Sequence, residues 1–287
     1  MCQTSMEEEY SIISKIGCGF SADVQLVSRS GELMALKVFK AKKDQLYENE
    51  ICIMNKLSHI SGVIRIRESQ LRGCIMMDYA KYGNLLQYLQ QSRFEENIAR
   101  SFFKQMIFII DKIHKMGVAH RDLKLENILL DDQYKLKICD FGFAIQYLDE
   151  QGRRIKVNDY VGTPQTAAPE IYLRQPYHPV EADLFQLGVI LFQICAGSSP
   201  FHNANIKSDP DYQFIYRQQI GKFWEKHQYQ FSAELKDIIV KLLAFNPNRR
   251  LSIPEIQSHP WMQGEVADQS QIIDQMEYRQ SKLSLQI

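Results

Sequence analysis

Three polar side chains near the middle of the chain could bind a metal ion and move a proton. Asp122 and Asn127 lie in the stretch His-Arg-Asp-Leu-Lys-Leu-Glu-Asn, residues 120–127, and Asp140 follows Asn127 by thirteen positions in Asp-Phe-Gly. Carboxylate and amide oxygens are ligands for Mg²⁺, and a carboxylate can accept a proton from a hydroxyl. Lys124 adds the positive charge that a phosphoryl group in transfer requires. The spacing therefore predicts phosphotransfer chemistry.

A solvated polar loop is the alternative interpretation of residues 120–127, and it would be favoured if His-Arg-Asp stood alone. A loop of that kind does not explain the fixed spacing of Asp122, Lys124 and Asn127. Nor does it explain why a second acidic motif follows after a short hairpin pattern. The combination favours a phosphotransfer site.

Three short strands must hold the other side of this site. Alternating apolar residues bounded by turns predict strands over residues 12–16, 23–27 and 33–38. Gly17 and Gly19 lie in the first turn, where the absence of side chains would let the backbone approach a phosphate group. An ordinary hairpin turn explains these two glycines about equally well.

The third strand carries a lysine that could reach the same site. The two-residue period of a strand places Ala35 and Lys37 on one face. Residues 45–57 have the apolar pattern of a helix that carries Glu50, and an ion pair between Glu50 and Lys37 would orient the lysine. Glu48 is a competing partner, although the apolar residues that follow favour Glu50. An exposed, unpaired lysine is the alternative.

Length and composition limit the functional classes. The chain has 287 residues, 45% of them hydrophobic, which is enough for one large domain or two lobes. Lys+Arg and Asp+Glu both total 34, so the net charge of zero argues against nucleic acid or an anionic membrane as a partner. The six cysteines lack metal-ligand spacing and indicate reduced thiols in an intracellular protein, cytoplasmic by default, with the nucleus also compatible.

No membrane segment is predicted. The start of the chain lacks the apolar run of a signal peptide. The most apolar segments, residues 106–110 and 187–196, are too short to span a bilayer. We therefore expect a soluble protein.

From about Tyr10 to Trp261 the chain resembles a eukaryotic protein kinase. Met-Ala-Leu-Lys at residues 34–37 resembles the family's Val-Ala-Ile-Lys, and residues 120–127 and 140–142 match its catalytic-loop and Asp-Phe-Gly motifs. In that family, the arginine near the end of the domain pairs with the glutamate of Ala-Pro-Glu. The further matching motifs are Ala168-Pro169-Glu170, Asp183 with Gly188, Arg250, and His259-Pro260-Trp261.

The resemblance implies an α+β fold of the bilobal protein-kinase type. The N-lobe, residues 10–80, would be a small, mostly antiparallel sheet with one regulatory helix, and the C-lobe, residues 81–261, would be larger and mainly helical. Residues 1–9 would be an N-terminal tail and residues 262–287 a C-terminal tail. Loosely helical apolar spacing leaves open a C-terminal helix docked on the domain, but a frayed end is favoured.

The resemblance also implies ATP and Mg²⁺ as cofactors. Asp122 would accept the proton of the substrate hydroxyl, and Lys124 would stabilise the γ-phosphate. Asn127 and Asp140 would bind Mg²⁺. Most of the catalytic effect would come from positioning and electrostatic stabilisation.

The expected ATP pocket spans both lobes. Lys37, oriented by Glu50, would position the α- and β-phosphates, and main-chain groups of Asp78 and Ala80 would meet the adenine. Ala22 stands where the family has a third glycine, which weakens the glycine-rich signal. The full set expected around ATP is Ile16, Gly17, Cys18, Gly19, Ala22, Val24, Ala35, Lys37, Met77, Asp78, Ala80, Leu129 and Asp140.

Lys124 and Gly-Thr-Pro at residues 162–164 resemble the serine/threonine branch, which implies protein substrates with Ser or Thr acceptors. The calmodulin-dependent-kinase-like branch is nearest in pattern. Glu126 is acidic as in that branch, but Asn84 and Gln193 replace other expected acids, so a preference for basic substrates is not predicted. Calmodulin is not expected as a partner, because the C-terminal tail lacks clustered basic residues. The oligomeric state stays open.

Asp159 stands where the family commonly carries an activating phosphorylation site, and no Ser or Thr lies between Asp140 and Gly162. An aspartate carries about one negative charge where a phosphate carries roughly 1.5 to 2. We hypothesise that Asp159 pairs with Arg121 and that basal activity needs no phosphate. A solvent-facing acid is the alternative. Thr166 replaces the family's usual tyrosine, which leaves the packing of this segment open.

Two other functional classes compete with an active protein kinase. A kinase-like scaffold would commonly lack at least one of the polar catalytic residues. Here all five are present: Lys37, Glu50, Asp122, Asn127 and Asp140. A small-molecule kinase on a related fold is disfavoured by Lys124 and by the motifs of Glu170 and Arg250. Since one fold hosts many functions, the site has to decide.

Overall fold

The N-lobe contains one five-stranded antiparallel sheet. The computed structural model describes residues 10–19, 21–40, 45–69, 73–90 and 92–284, so the predicted tail of residues 1–9 lies outside the described residues. The strands are β1 Ser11–Cys18, β2 Ala22–Arg29, β3 Glu32–Phe39, β4 Ile66–Glu68 and β5 Cys74–Asp78. They lie in the order β1-β2-β3-β5-β4, and each of the three predicted strands is present with slightly wider bounds.

The predicted alternation in β3 is confirmed. Met34 and Leu36 pack with Val27 and Met76 in a small apolar cluster on one face of the sheet. Lys37 is buried on the opposite face. This follows from the two-residue period of a strand, and it presents the lysine to the space between the lobes.

Helix α1, Gln45–Lys56, is the regulatory helix predicted for the N-lobe. Its apolar side contains Ile53 and Met54, which are buried in the main core together with Leu57, the residue that follows the helix. Burial of this stripe fixes the rotation of the helix, so that Glu50 faces inward and is only 1% exposed.

The C-lobe is mainly helical, which confirms the predicted bilobal α+β architecture. Two short two-stranded sheets, β6 with β9 and β7 with β8, flank the loops that carry the polar motifs. The strands are β6 Val118–Ala119, β7 Ile128–Leu130, β8 Leu136–Ile138 and β9 Ile145–Gln146. The helices are α2 Leu85–Leu89, α3 Glu96–Lys115, α4 Pro169–Tyr172, α5 Pro179–Ala196, α6 Pro210–Tyr216, α7 Ile220–His227, α8 Ala233–Leu242, α9 Ile253–Ser258 and α10 Gln269–Ser284.

Helix α5 lies at the centre of the C-lobe. Among the described residues it is the one helix that is long and apolar enough to cross a membrane, so the segment around residues 187–196 is longer than its sequence indicated. However, 83% of this helix is buried inside the protein, which accounts for its apolar character. It ends at Gly197, whose left-handed φ of 76° is typical of a helix C-terminus.

The favoured prediction of a frayed C-terminal tail is wrong for the described part of that tail. Helix α10 docks on the C-lobe with Met276 fully buried. The guanidinium of Arg279 is also buried and donates to three main-chain carbonyls, which compensates for its lost hydration. The acceptors are the carbonyl oxygens of Tyr88 at 2.8 Å, Ser92 at 2.6 Å and Arg93 at 2.8 Å.

Candidate active site

Lys37 lies between two carboxylates where the lobes meet. Its Nζ is 2.6 Å from Oε2 of Glu50 and 2.8 Å from Oδ1 of Asp140, so the predicted pairing with Glu50 is confirmed. Burial alone would lower the pKa of Lys37, but the two carboxylates raise it above its ordinary value, and the ammonium stays charged. Burial raises the pKa of Glu50, and Lys37 opposes that rise. The ion pair joins β3 to α1.

Asp140 combines a retained charge with access to the space between the lobes. Burial would raise its pKa, but Lys37 outweighs this effect and holds the pKa below its ordinary value. The side chain is nevertheless 43% exposed. Its φ of 64° is left-handed, a conformation that costs a non-glycine residue free energy and is found mainly at functional sites. An ionised, accessible carboxylate of this kind is suited to a divalent cation.

Asn127 provides the second oxygen that could bind Mg²⁺. Its Nδ2 donates to the main-chain carbonyl of Asp122 at 2.9 Å, which leaves Oδ1 without a hydrogen bond to any described residue. No group of three His, Cys, Asp or Glu side chains within the described ranges could hold a metal ion. The two oxygen ligands of Asn127 and Asp140 fit Mg²⁺, because that ion commonly takes few protein ligands and completes its shell with phosphate and water oxygens.

Asp122 is fixed by donors on both of its oxygens. Oδ1 accepts from the N–H of Thr163 at 2.8 Å, and Oδ2 accepts from Nζ of Lys124 at 2.9 Å. The same Nζ donates to the hydroxyl of Thr163 at 2.7 Å. Because Asp122 is 2% exposed and Lys124 only partly buried, the pair presents one fixed proton acceptor beside one accessible positive charge.

The adenine side of the expected pocket contains an unpaired main-chain donor. Ala80 is buried, its carbonyl accepts from Gly83 at 3.2 Å, and no described acceptor pairs with its N–H. A buried N–H without a partner is rare in proteins, and a ring nitrogen of a purine could accept from it. For Asp78 the predicted contact with the base is through its carbonyl, and its N–H donates to the carbonyl of Arg65.

The remaining residues expected around ATP differ in exposure. Ala35 and Met77 are buried opposite each other in β3 and β5, and Val24 pairs with Lys37 in the β2–β3 ladder. Leu129 is half-buried in β7. Those on the glycine-containing turn are more open and could close over a ligand: Ile16, Gly17, Cys18 and Gly19, with Ala22 buried at the start of β2.

Comparison with known proteins identifies the family. The model of the protein kinase domain matches residues 10–262. The chain belongs to the protein kinase family. Three relatives are CBL-interacting protein kinase 26 of Oryza sativa subsp. japonica, CBL-interacting serine/threonine-protein kinase 13 of Arabidopsis thaliana, and serine/threonine-protein kinase SAPK2 of Oryza sativa subsp. japonica.

The extent of the match differs among these relatives. Kinase 26 is 35% identical over 270 residues, which cover 90% of this chain and 53% of the relative. Kinase 13 is 36% identical over 265 residues, which cover 88% of this chain and 51% of the relative. SAPK2 is 34% identical over 288 residues, which cover 94% of this chain and 82% of the relative. The chain therefore spans about half the length of the two CBL-interacting relatives and most of SAPK2.

The segment between the Asp-Phe-Gly and Ala-Pro-Glu motifs, here called the activation segment, carries Asp159. This residue pairs with Arg121, as hypothesised from the sequence. Nη1 of Arg121 lies 2.7 Å from each carboxylate oxygen of Asp159. Nε of Arg121 donates to the carbonyl of Phe143, just after Asp-Phe-Gly, at 2.7 Å. Thr166 is buried and hydrogen-bonded to the carbonyl of Thr163, so the replacement of the usual tyrosine is absorbed by local packing.

The kinase domain is joined across its helical lobe by a second predicted ion pair. Arg250 and Glu170 contact each other through two parallel bonds of 2.7 and 2.6 Å. Among the positions compared with calmodulin-dependent kinases, Glu126 is exposed, Asn84 caps the start of α2 and Gln193 donates to Ser199. The two neutral residues therefore serve local structure.

Sequence reasoning identified Asp183 from its motif but missed His114 and Asn49, which help to hold the catalytic loop and the Asp-Phe-Gly segment. Oδ2 of Asp183 on α5 accepts from the N–H of His120 at 2.9 Å and lies 2.8 Å from Nε2 of His114, and Oδ1 accepts from the N–H of Arg121 at 2.7 Å. Asn49, next to Glu50, donates to the carbonyls that follow Asp140. His114 and Asn49 form no motif, and only their polar character on buried helix faces could have signalled them.

Proposed function

We propose that this chain is an ATP- and Mg²⁺-dependent kinase that transfers the γ-phosphate to Ser or Thr hydroxyls of protein substrates. The observation that carries the proposal is that the cluster of Lys37, Glu50 and Asp140 adjoins the pair of Asp122 and Lys124. Asn127 joins the two, because its Nδ2 donates to the carbonyl of Asp122 and its own carbonyl accepts from the N–H of Cys139, next to Asp140. A scaffold has no need for an ionised carboxylate, a paired buried lysine and a fixed proton acceptor in adjoining clusters.

The chain's own residues supply positioning and charge. Asp122, with both oxygens held, accepts or orients the proton of the substrate hydroxyl, and Lys124 places a positive charge beside it. Lys37 positions the inner phosphates, and its pairing with Glu50 fixes where its charge lies. Asn127 and Asp140 would hold Mg²⁺, which neutralises phosphate charge when bound.

Substrate identity is proposed at the level of class only. The pairing of Lys124 with Thr163 and the names of the relatives support Ser/Thr acceptors in proteins. Two relatives are named for an interaction with CBL, but this chain matches about half of each, so we do not extend that partner to it.

The described cysteines are all free, which supports an intracellular location.

Phosphate transfer from labelled ATP with Mg²⁺ onto generic Ser and Thr peptides tests the proposal. We expect Asp122→Asn to lower kcat by about 100- to 10,000-fold, the usual contribution of a positioned proton acceptor. Asp132→Asn is the matched control, because Asp132 is an exposed acid in the nearby β7–β8 turn. An inactive wild type that still binds ATP would support the scaffold class instead, whereas an active wild type with an unchanged rate in Asp122→Asn would rule out Asp122 as the proton acceptor.

A further inference from the structure

Gln186 makes contacts that its sequence position did not indicate. It lies on α5, one helical turn after Asp183, and its side chain is fully buried. Its Oε1 accepts from the N–H of Leu123 at 2.8 Å, and its Nε2 donates to the carbonyl of Arg121 at 3.0 Å. These two groups belong to the residues on either side of Asp122. One amide side chain therefore brackets the proton acceptor.

The backbone that Gln186 brackets is under strain. Arg121 has a φ of 66°, in the left-handed region, and such a conformation costs a non-glycine residue on the order of 1–3 kcal/mol. The carbonyl of Arg121 is also crowded by the activation segment, since a Cβ at Gly162 would lie 2.6 Å from it. A strained peptide persists only when its surroundings fix it.

Asp183 and Gln186 together provide that restraint. Residues three apart share one face of a helix, so both side chains reach the same loop. Asp183 binds the N–H groups of His120 and Arg121, while Gln186 binds the carbonyl of Arg121 and the N–H of Leu123. Four main-chain groups around Asp122 are thus paired by two side chains of one rigid helix.

We propose that Gln186 is a positioning residue for Asp122, and that its amide sets the orientation of the two peptide units that aim the carboxylate at the substrate hydroxyl. The inference rests on the proposed kinase activity. Both ends of the amide are needed, because one end only accepts and the other only donates.

Gln186→Leu removes both bonds while keeping a side chain of similar size. A misplacement of about 1 Å can cost around 100-fold in rate, so we expect kcat to fall about 10- to 100-fold, with KM for ATP within about twofold of wild type. Rates are expressed per folded, ATP-binding molecule, so that lost stability alone does not count. Gln105→Leu on α3 is the matched control, because Gln105 likewise accepts from a main-chain N–H, that of Leu136, outside the catalytic loop.

Gln186→Glu gives a readout that a purely structural residue would not give. A protonated glutamic acid can reproduce the bracket, with its O–H donating to the carbonyl of Arg121 and its C=O accepting from Leu123. An ionised one faces that carbonyl oxygen with a second acceptor. Burial and the nearby carboxylates of Asp122 and Asp183 disfavour the ionised form. We therefore expect the kcat of Gln186→Glu relative to wild type to rise as the pH falls from about 9 to about 6.

The outcomes separate this inference from the proposed function. If wild type transfers phosphate, Gln186→Leu is slow and Gln186→Glu is restored at low pH, the bracket stands. If wild type transfers phosphate but Gln186→Leu matches it per folded molecule, or the Gln186→Glu ratio does not change with pH, the inference is overturned. If wild type transfers none, the proposed function fails first. Gln105→Glu should track wild type throughout.

Discussion

Asp159→Asn removes the negative charge of Asp159 while keeping its shape. Both oxygens of Asp159 lie 2.7 Å from one nitrogen of Arg121, whose side chain is 7% exposed, whereas that of Asp159 is 45% exposed. A hydrogen bond to a charged group contributes about 1.5–3 kcal/mol, and solvent at the half-exposed carboxylate moves this towards the value of at most about 1 kcal/mol for surface pairs. We expect the free energy that favours the ordered activation segment to fall by about 1–2 kcal/mol in Asp159→Asn. This corresponds to about a 5- to 30-fold fall in the ratio of ordered to disordered segment.

Steady-state kinetics on unphosphorylated protein, with the absence of phosphate verified by intact mass, measures this loss. We expect kcat/KM for a Ser/Thr peptide to fall by up to about 5- to 30-fold in Asp159→Asn, and Asp159→Ala to be at least as slow. Glu150→Gln is the matched control, since it neutralises an exposed acid in the same segment.

Two results would refute the reasoning about Asp159. The first is an unchanged rate in both Asp159 variants. The second is a wild type that becomes active only after phosphorylation of Thr163 or Thr166. In the structure neither hydroxyl is free, because Lys124 donates to that of Thr163 and Thr166 is buried.

Two further predictions concern stability. Arg250→Met leaves Glu170 buried without its partner, so we expect the free energy of unfolding to fall by about 3–5 kcal/mol and Tm to fall by about 6–20 °C. Adding Glu170→Gln should recover part of this loss. An unchanged Tm in Arg250→Met would contradict the pairing. Burial lowers the pKa of His227 below the ordinary value for histidine. The unfolded chain therefore takes up the proton first, and the free energy of unfolding falls as the pH drops below about 6.5. Urea midpoints of His227→Phe should lose less than those of wild type in this range, and parallel pH curves would rule the explanation out.

The sequence was most informative about contacts between two side chains. The Lys37–Glu50 and Glu170–Arg250 pairs could be predicted, because both partners of each pair belong to motifs that the sequence shows. The bracket by Gln186 could not be predicted, because its partners are main-chain groups that any residue carries.

The same limit explains the other errors. The docking of α10 depends on Arg279 meeting carbonyl groups, which leave no pattern in the sequence. The unpaired N–H of Ala80 is likewise a property of the folded backbone. The length of α5 was underestimated because polar residues such as Asp183 and Gln186 interrupt its apolar run, although both are satisfied by the catalytic loop.

Helix α10 is linked by hydrogen bonds to the segment that follows Ala80 at the expected nucleotide pocket. The hydroxyl of Tyr88 donates to the carbonyl of Tyr82 at 2.9 Å and lies 2.6 Å from Oε1 of Gln280 on α10. Tyr82 is two residues beyond Ala80, one of the residues expected to meet the adenine. If displacement of α10 moves the carbonyl of Tyr82 and with it Ala80, a ligand that binds α10 differently in its docked and displaced positions changes the affinity for ATP. By linkage, ATP would change the affinity for that ligand by the same factor.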